Sequence, residues 1–119
     1  MKIRATATMH QREMNHTEEK YAKYLQERLV CGEICWWAYE CFKFRLADKT
    51  WYTPDFIVVA NDLHIEAHEV KSIWSTGKPG WTDDSRVKVK VCAEMYPIKF
   101  VAMTLMKDQS WQMEEFCNV

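Results

Sequence analysis

Tyr52-Thr53-Pro54-Asp55-Phe56-Ile57-Val58-Val59, followed after Ala60-Asn61-Asp62 by Leu63-His64-Ile65-Glu66-Ala67-His68-Glu69-Val70-Lys71, is the stretch whose reading decides the fold. Aromatic and β-branched residues dominate the first run, and the Ala-Asn-Asp segment supplies turn chemistry, so the pair reads as a β-hairpin. Alternate residues of a strand share a face. Asp55 then lies with Thr53, Ile57 and Val59, while Glu69 and Lys71 lie with Leu63, Ile65 and Ala67. Three ionisable groups thus fall on faces otherwise built for a core. Residues i and i+2 are about 7 Å apart along a strand, so Glu69 and Lys71 converge on one small site with Asp55 arriving from the neighbouring strand. Paired carboxylates beside an ammonium group suit a divalent cation, a water and a phosphodiester.

Pro54-Asp55, thirteen intervening residues and Glu69-Val70-Lys71 together resemble the signature of the PD-(D/E)XK, or restriction-endonuclease-like, nuclease superfamily. Trp51-Tyr52-Thr53-Pro54-Asp55-Phe56 with His68-Glu69-Val70-Lys71-Ser72 is similar to small phage-encoded members related to Holliday junction resolvases and other structure-selective endonucleases. The resemblance runs from Thr17 to Phe100. It implies an α/β fold with a restriction-endonuclease-like core, ordered helix, three strands, helix, strand around a central mixed sheet. It further implies a Mg²⁺-dependent DNA endonuclease, with Mn²⁺ able to substitute, that leaves a 5′-phosphate and prefers branched DNA. Asp55, Glu69 and the backbone carbonyl of Val70 would hold the ion, and Lys71 would orient the attacking water and offset transition-state charge. A glutamate on the first core helix, Glu18 with Glu19 as the alternative, would bind a second ion or a metal-bound water. The rival reading is a non-catalytic DNA-binding or regulatory phage protein on the same fold, its acidic strand residues simply ion-paired.

At 119 residues the chain is sized for a single nuclease domain with one modest core. No apolar run is long enough to span a membrane, and Met1 to His10 lacks the apolar segment of a secretory signal, so a cytoplasmic location in the host is expected. The net charge of -1 gives no bulk attraction to nucleic acid; basic residues would have to cluster on the substrate face. Cys31, Cys35, Cys41, Cys92 and Cys117 form no Cys-x-x-Cys pair, and an odd count argues for buried free thiols rather than a disulfide framework. A zinc site on Cys31 and Cys35 lacks a second pair to complete it.

Residues 1–14 mix Lys2, Arg4 and Arg12 without periodicity and read as a mobile arm or an edge strand. From Asn15 to Val30 the stripe Glu18, Tyr21, Ala22, Leu25, Leu29 marks a helix that Gly32 ends. Glu18 is either a capping partner of Asn15 or a carboxylate aimed at the strand site, and the family likeness favours the second; Glu19 is turned by about 100° onto the flank. Glu33 to Ala47 reads as one strand with a wet face, turned by Asp48-Lys49-Thr50 into the Tyr52 strand, so that three strands make an antiparallel meander. Glu40 reads as a solvated edge carboxylate. His64, Glu66 and His68 read as the polar face of an amphipathic strand, ahead of a His-x-Glu-x-His metal array.

Ile73 to Thr82 carries Gly77, Lys78, Pro79 and Gly80 and is a loop, whose Trp74 and Trp81 either stack on unpaired bases or anchor it to the core. Val87, Val89 and Val91 alternate as in a strand, but Asp83, Asp84 and Ser85 are helix-capping types and Pro97 is a stop, so a helix is expected, as the family architecture also implies. On it Val87, Val91, Cys92 and Met95 flank Lys88, which would snorkel from the buried stripe toward the site or a phosphate. Arg86 and Lys90 would project to the DNA backbone, with Lys78 nearby on the loop. Ile98 to Met106 reads as a central strand beside the hairpin, and 107–119 as an extension ending in a short extra element. The Cys35-Trp36-Trp37 segment is a candidate homodimer interface, resolvases acting as dimers.

Overall fold

Asn15 starts the first helix through a capping box: its side chain accepts from the Glu18 backbone N–H at 2.8 Å while Glu18 Oε1 accepts from Asn15 N–H at 3.0 Å. In the computed structural model, which describes residues 3–9 and 11–116, the elements run β1 (Ala5–Ala7), α1 (His16–Val30), β2 (Ile34–Tyr39), β3 (Phe42–Ala47), β4 (Thr50–Tyr52), β5 (Phe56–Ala60), β6 (Ile65–Ser72), α2 (Asp83–Met95), β7 (Lys99–Leu105) and β8 (Trp111–Phe116). Gly32, at φ 78°, takes the left-handed position that closes α1 and lets Glu33 N–H reach the Arg28 carbonyl.

The architecture is α/β, with two helices and two sheets among the described residues. The larger sheet has the order β2-β5-β6-β7-β8, mixed because β6 and β7 run parallel and the other pairs antiparallel. Its connection from β6 to β7 passes through α2, as a parallel pair requires. The smaller sheet, β1-β3-β4, is antiparallel. Alternation along the central strands divides the core. Phe56, Val58, Val70 and Val101 pack against Tyr21 and Leu25 of α1. Ile57, Ala67, Phe100 and Ala102 pack against Val89, Cys92 and Ala93 of α2 together with Phe44 and Tyr52 of the small sheet.

Several expectations are corrected. The Glu33–Ala47 run is two strands in different sheets: at Glu40 the backbone turns to φ 44° and the chain leaves the large sheet for the small one. The Tyr52–Val59 run is likewise broken, β4 ending before Thr53-Pro54-Asp55 and β5 starting after it. No simple three-strand meander results; β3 and β4 form an excursion between two neighbours of the large sheet. Of the two readings of the N-terminal arm, the edge strand holds and the mobile arm does not, since β1 pairs with β3 at the edge of the small sheet. The short extra element expected of the C-terminal extension is β8, which joins the main sheet as an edge strand.

Residues 86–92 are helical, α2 being capped by Thr82, whose Oγ1 accepts from Ser85 N–H at 3.1 Å. Its buried stripe is Val89, Cys92 and Ala93, with Val87 exposed, so the helix is rotated from the expected phase. His68 does not belong to a wet face: it is buried under α1, hydrogen-bonded to Tyr21 Oη at 2.5 Å and to Glu66 Oε1 at 2.8 Å. Among the described cysteines only Cys92 is buried; Cys41 is half-buried, Cys31 and Cys35 are exposed and all four are free, while Cys117 lies outside the described residues. No helix among the described residues is long and apolar enough to cross a membrane.

Candidate active site

The break between β4 and β5 aims Asp55 at β6. Asp55 Oδ2 accepts from the backbone N–H of Val70 at 2.8 Å, which fixes the carboxylate beside Glu69. Glu69, on the α2 side of the sheet, accepts from Tyr52 Oη at 2.9 Å through Oε1 and faces Lys71 Nζ at 3.5 Å through Oε2. Both carboxylates are buried. They line a cleft of about 410 Å³ whose other walls include Tyr52 and Trp51 of β4, Glu40, Arg12, and Ser85 and Lys88 of α2. Asp55 and Glu69 therefore share the cleft, whereas Lys71 reaches Glu69 and is not among the residues that line it.

Burial sets the electrostatics. It pushes the Asp55 carboxyl well above the usual carboxylate range, the Glu69 charge pushes it further, and the Val70 N–H opposes both. Burial also raises Glu69, against the pull of Lys71 and the Tyr52 hydroxyl. Tyr52 is raised by burial and then by Glu69. Two carboxylates in one dry cleft resist being charged together, and a cation placed between them relieves that cost.

Part of this relief comes from Arg12, on the segment expected to be a mobile arm or an edge strand. Its Nη2 lies 2.7 Å from Glu40 Oε2, 3.0 Å from Glu18 Oε2 and 3.5 Å from Asp55 Oδ1. Its backbone N–H and Nε both donate to Glu40, at 2.9 and 2.8 Å. Gln11 anchors the same arm by donating to the Tyr39 carbonyl at 2.6 Å. Glu40, expected to be solvated, is 4% exposed and belongs to this cluster. The signal that could have found it is the loss of alternation at Tyr39-Glu40-Cys41; for Arg12 the sequence offers none.

Glu18 caps its helix and also pairs with the arginine that faces Asp55. Oε1 closes the capping box and accepts from Tyr39 Oη at 3.2 Å, while Oε2 pairs with Arg12, so the helix carboxylate reaches Asp55 through a guanidinium. Glu19 is exposed. Lys88 lines the cleft and lies 3.6 Å from Asp84 Oδ2. Lys90 and Lys78 are exposed. Arg86 is engaged internally: it grips Glu114 with two nitrogens at 3.0 and 2.7 Å and lies over the rings of Trp81 and Phe116. Trp74 is half exposed, its indole lying on Gly80, where a Cβ would come within 2.5 Å of Nε1. Trp81 is half-buried with Lys71 Nζ 4.6 Å from its ring centre.

Among the described residues no three His, Cys, Asp or Glu side chains converge closely enough to cage a metal by themselves. Magnesium needs less: it keeps several waters and is commonly held by one or two carboxylates. The all-oxygen donor set of Asp55 and Glu69, buried and mutually repelling, fits such an ion. No family model, no curated protein and no solved structure matches the chain.

Proposed function

We propose that this chain is a Mg²⁺-dependent DNA endonuclease of the PD-(D/E)XK type, acting on branched or otherwise structured DNA. The observation that carries the reading is that Asp55, just before β5, and Glu69 of β6 share one cleft with Lys88, while Lys71 reaches Glu69 at 3.5 Å. Asp55 and Glu69, with the Val70 backbone carbonyl, would hold the ion, and Glu18 would hold a second ion or a coordinated water. A bound Mg²⁺ there supplies polarisation of the scissile phosphate and a more acidic water. Lys71 orients that water and offsets charge developing on the phosphoryl oxygens. Lys88 attracts a flanking phosphate as a point charge. The bond broken is the phosphodiester, and the phosphate stays on the 5′ end.

The test is a panel of labelled four-way junctions, flaps, duplex and single strands incubated with the protein in Mg²⁺. Cleavage of branched substrates by the parent is expected, lost in EDTA and lost in Asp55→Asn and Lys71→Ala. Asn at position 55 keeps an oxygen to accept the Val70 N–H, so it removes the charge without orphaning the backbone. Asp55→Asn cutting as fast as the parent would sink the assignment. One observation favours a second reading, a non-catalytic DNA-binding or regulatory protein: Arg12 already satisfies three of the site's carboxylates. Calorimetry with Mn²⁺ separates the two, since only the nuclease takes up the ion.

A further inference from the structure

Lys71 hangs on a long flexible stem whose ammonium gains little definition from its one carboxylate partner, Glu69 Oε2 at 3.5 Å. Its side chain is nevertheless only 15% exposed. What covers it is the Trp81 indole, whose ring centre is 4.6 Å from Nζ, well within cation–π range. The indole is itself fixed. Phe116 packs edge-on against it at 5.9 Å, and the Arg86 guanidinium lies 5.4 Å from the same ring while locked to Glu114. Trp81 Nε1 is buried with no hydrogen-bond partner among the described residues, so ring contacts rather than a polar anchor decide where it sits. A ring carrying Lys71 and Arg86 is not free to stack on a base.

We infer that Trp81 is the positioning residue for Lys71, its ring face holding the ammonium against Glu69. The inference rests on the nuclease reading for its functional consequence, but not for its geometry. Two variants test it. Trp81→Leu keeps apolar bulk and removes the π face; Trp81→Phe keeps a smaller, weaker face and removes the orphaned N–H. Labelling of intact protein with an amine-reactive ester, read at Lys71 by peptide mass spectrometry, reports whether the ammonium is still covered. A rise of about tenfold is expected in Trp81→Leu and about threefold in Trp81→Phe.

With a branched DNA substrate, kcat should fall by a similar factor in Trp81→Leu while KM stays within about twofold, Trp81→Phe recovering part of the loss. Lys71 labelled at the parent rate in Trp81→Leu overturns the inference, as does a raised KM with unchanged kcat, which would make Trp81 a base-stacking residue. Should the leucine variant not fold, parent-rate labelling in Trp81→Phe overturns it equally. A parent that cuts no DNA removes the nuclease reading alone, because the labelling comparison still decides whether Trp81 holds Lys71.

Discussion

Asp55 commits one oxygen to the Val70 backbone and leaves the other toward Arg12, so its neighbours hold it in place without neutralising it. Asp55 and Glu69 are both raised by burial, which means the folded protein holds their protons more tightly than the unfolded chain does. Their contribution to stability is complete below the ordinary carboxylate value of about 4 and is lost as pH rises through the raised values of the folded state. Glu66 works oppositely. Its hydrogen bond from His68, helped by His64 and opposed by burial, pulls it down to about 2, so its contribution exists above the unfolded value and disappears as pH falls toward 2. Buried His68, which desolvation holds below its usual value, shifts stability the other way over the same range, so the pair is read by difference. In EDTA, urea unfolding of the parent should lose more stability than Asp55→Asn between about pH 5 and about pH 8, and saturating Mg²⁺ should narrow that difference. Equal losses in EDTA, or a difference untouched by Mg²⁺, would count against the carboxylate pair as a cation site. At this scale the Glu69–Lys71 pair was legible, because period-two alternation is a local property and places the two together whatever the rest of the chain does; Asp55, in the break before β5, was not placed by it.

Among the elements, the sharp corner at Glu40 does most to shape the site. It moves the chain from β2 into β3 and points a buried carboxylate at the arm that carries Arg12. Arg12→Ala should cost about 1–3 kcal/mol in metal-free urea unfolding, the lower half favoured because the side chain is 59% exposed. The loss should shrink in saturating Mg²⁺ or Mn²⁺, since an added cation can serve the same carboxylates. A loss indifferent to metal would mean that Arg12 only fastens the arm. Helix α2 teaches a different lesson. Its ends were readable from capping types and Pro97, but its alternating valines fit two rotations of the helix, and the choice came from Phe44, Tyr52 and Phe100, against which Val89, Cys92 and Ala93 pack.

For the molecule as a whole, a net charge of -1 leaves little long-range pull on DNA, so any phosphate contacts must be local to the cleft. Lys88 lines it, and Lys90 lies two residues on along the exposed side of the same helix. Lys88→Ala should reduce the slope of log K against log salt by about 1 for DNA measured in Ca²⁺ or EDTA, weakening all sequences alike. An unchanged slope would place the phosphates elsewhere. Arg86 makes no such contribution in this arrangement, because Glu114 and two aromatic rings already engage it.

The sequence by itself determined the features that depend on near neighbours: the Asn15 capping box, the Gly32 stop, the strand character of the Phe56–Val59 and Glu69 segments, and the shared face of Glu69 and Lys71. Each is fixed by backbone preference within a few residues, which is where sequence patterns carry information. Tertiary structure alone decided that Glu40 is buried, that Arg12 bridges carboxylates from α1, the β2–β3 corner and the approach to β5, that His68 lies in the core, and that Trp81 covers Lys71. Those contacts join residues far apart in the chain, so they exist only once two sheets and two helices have packed and excluded water from the space between them.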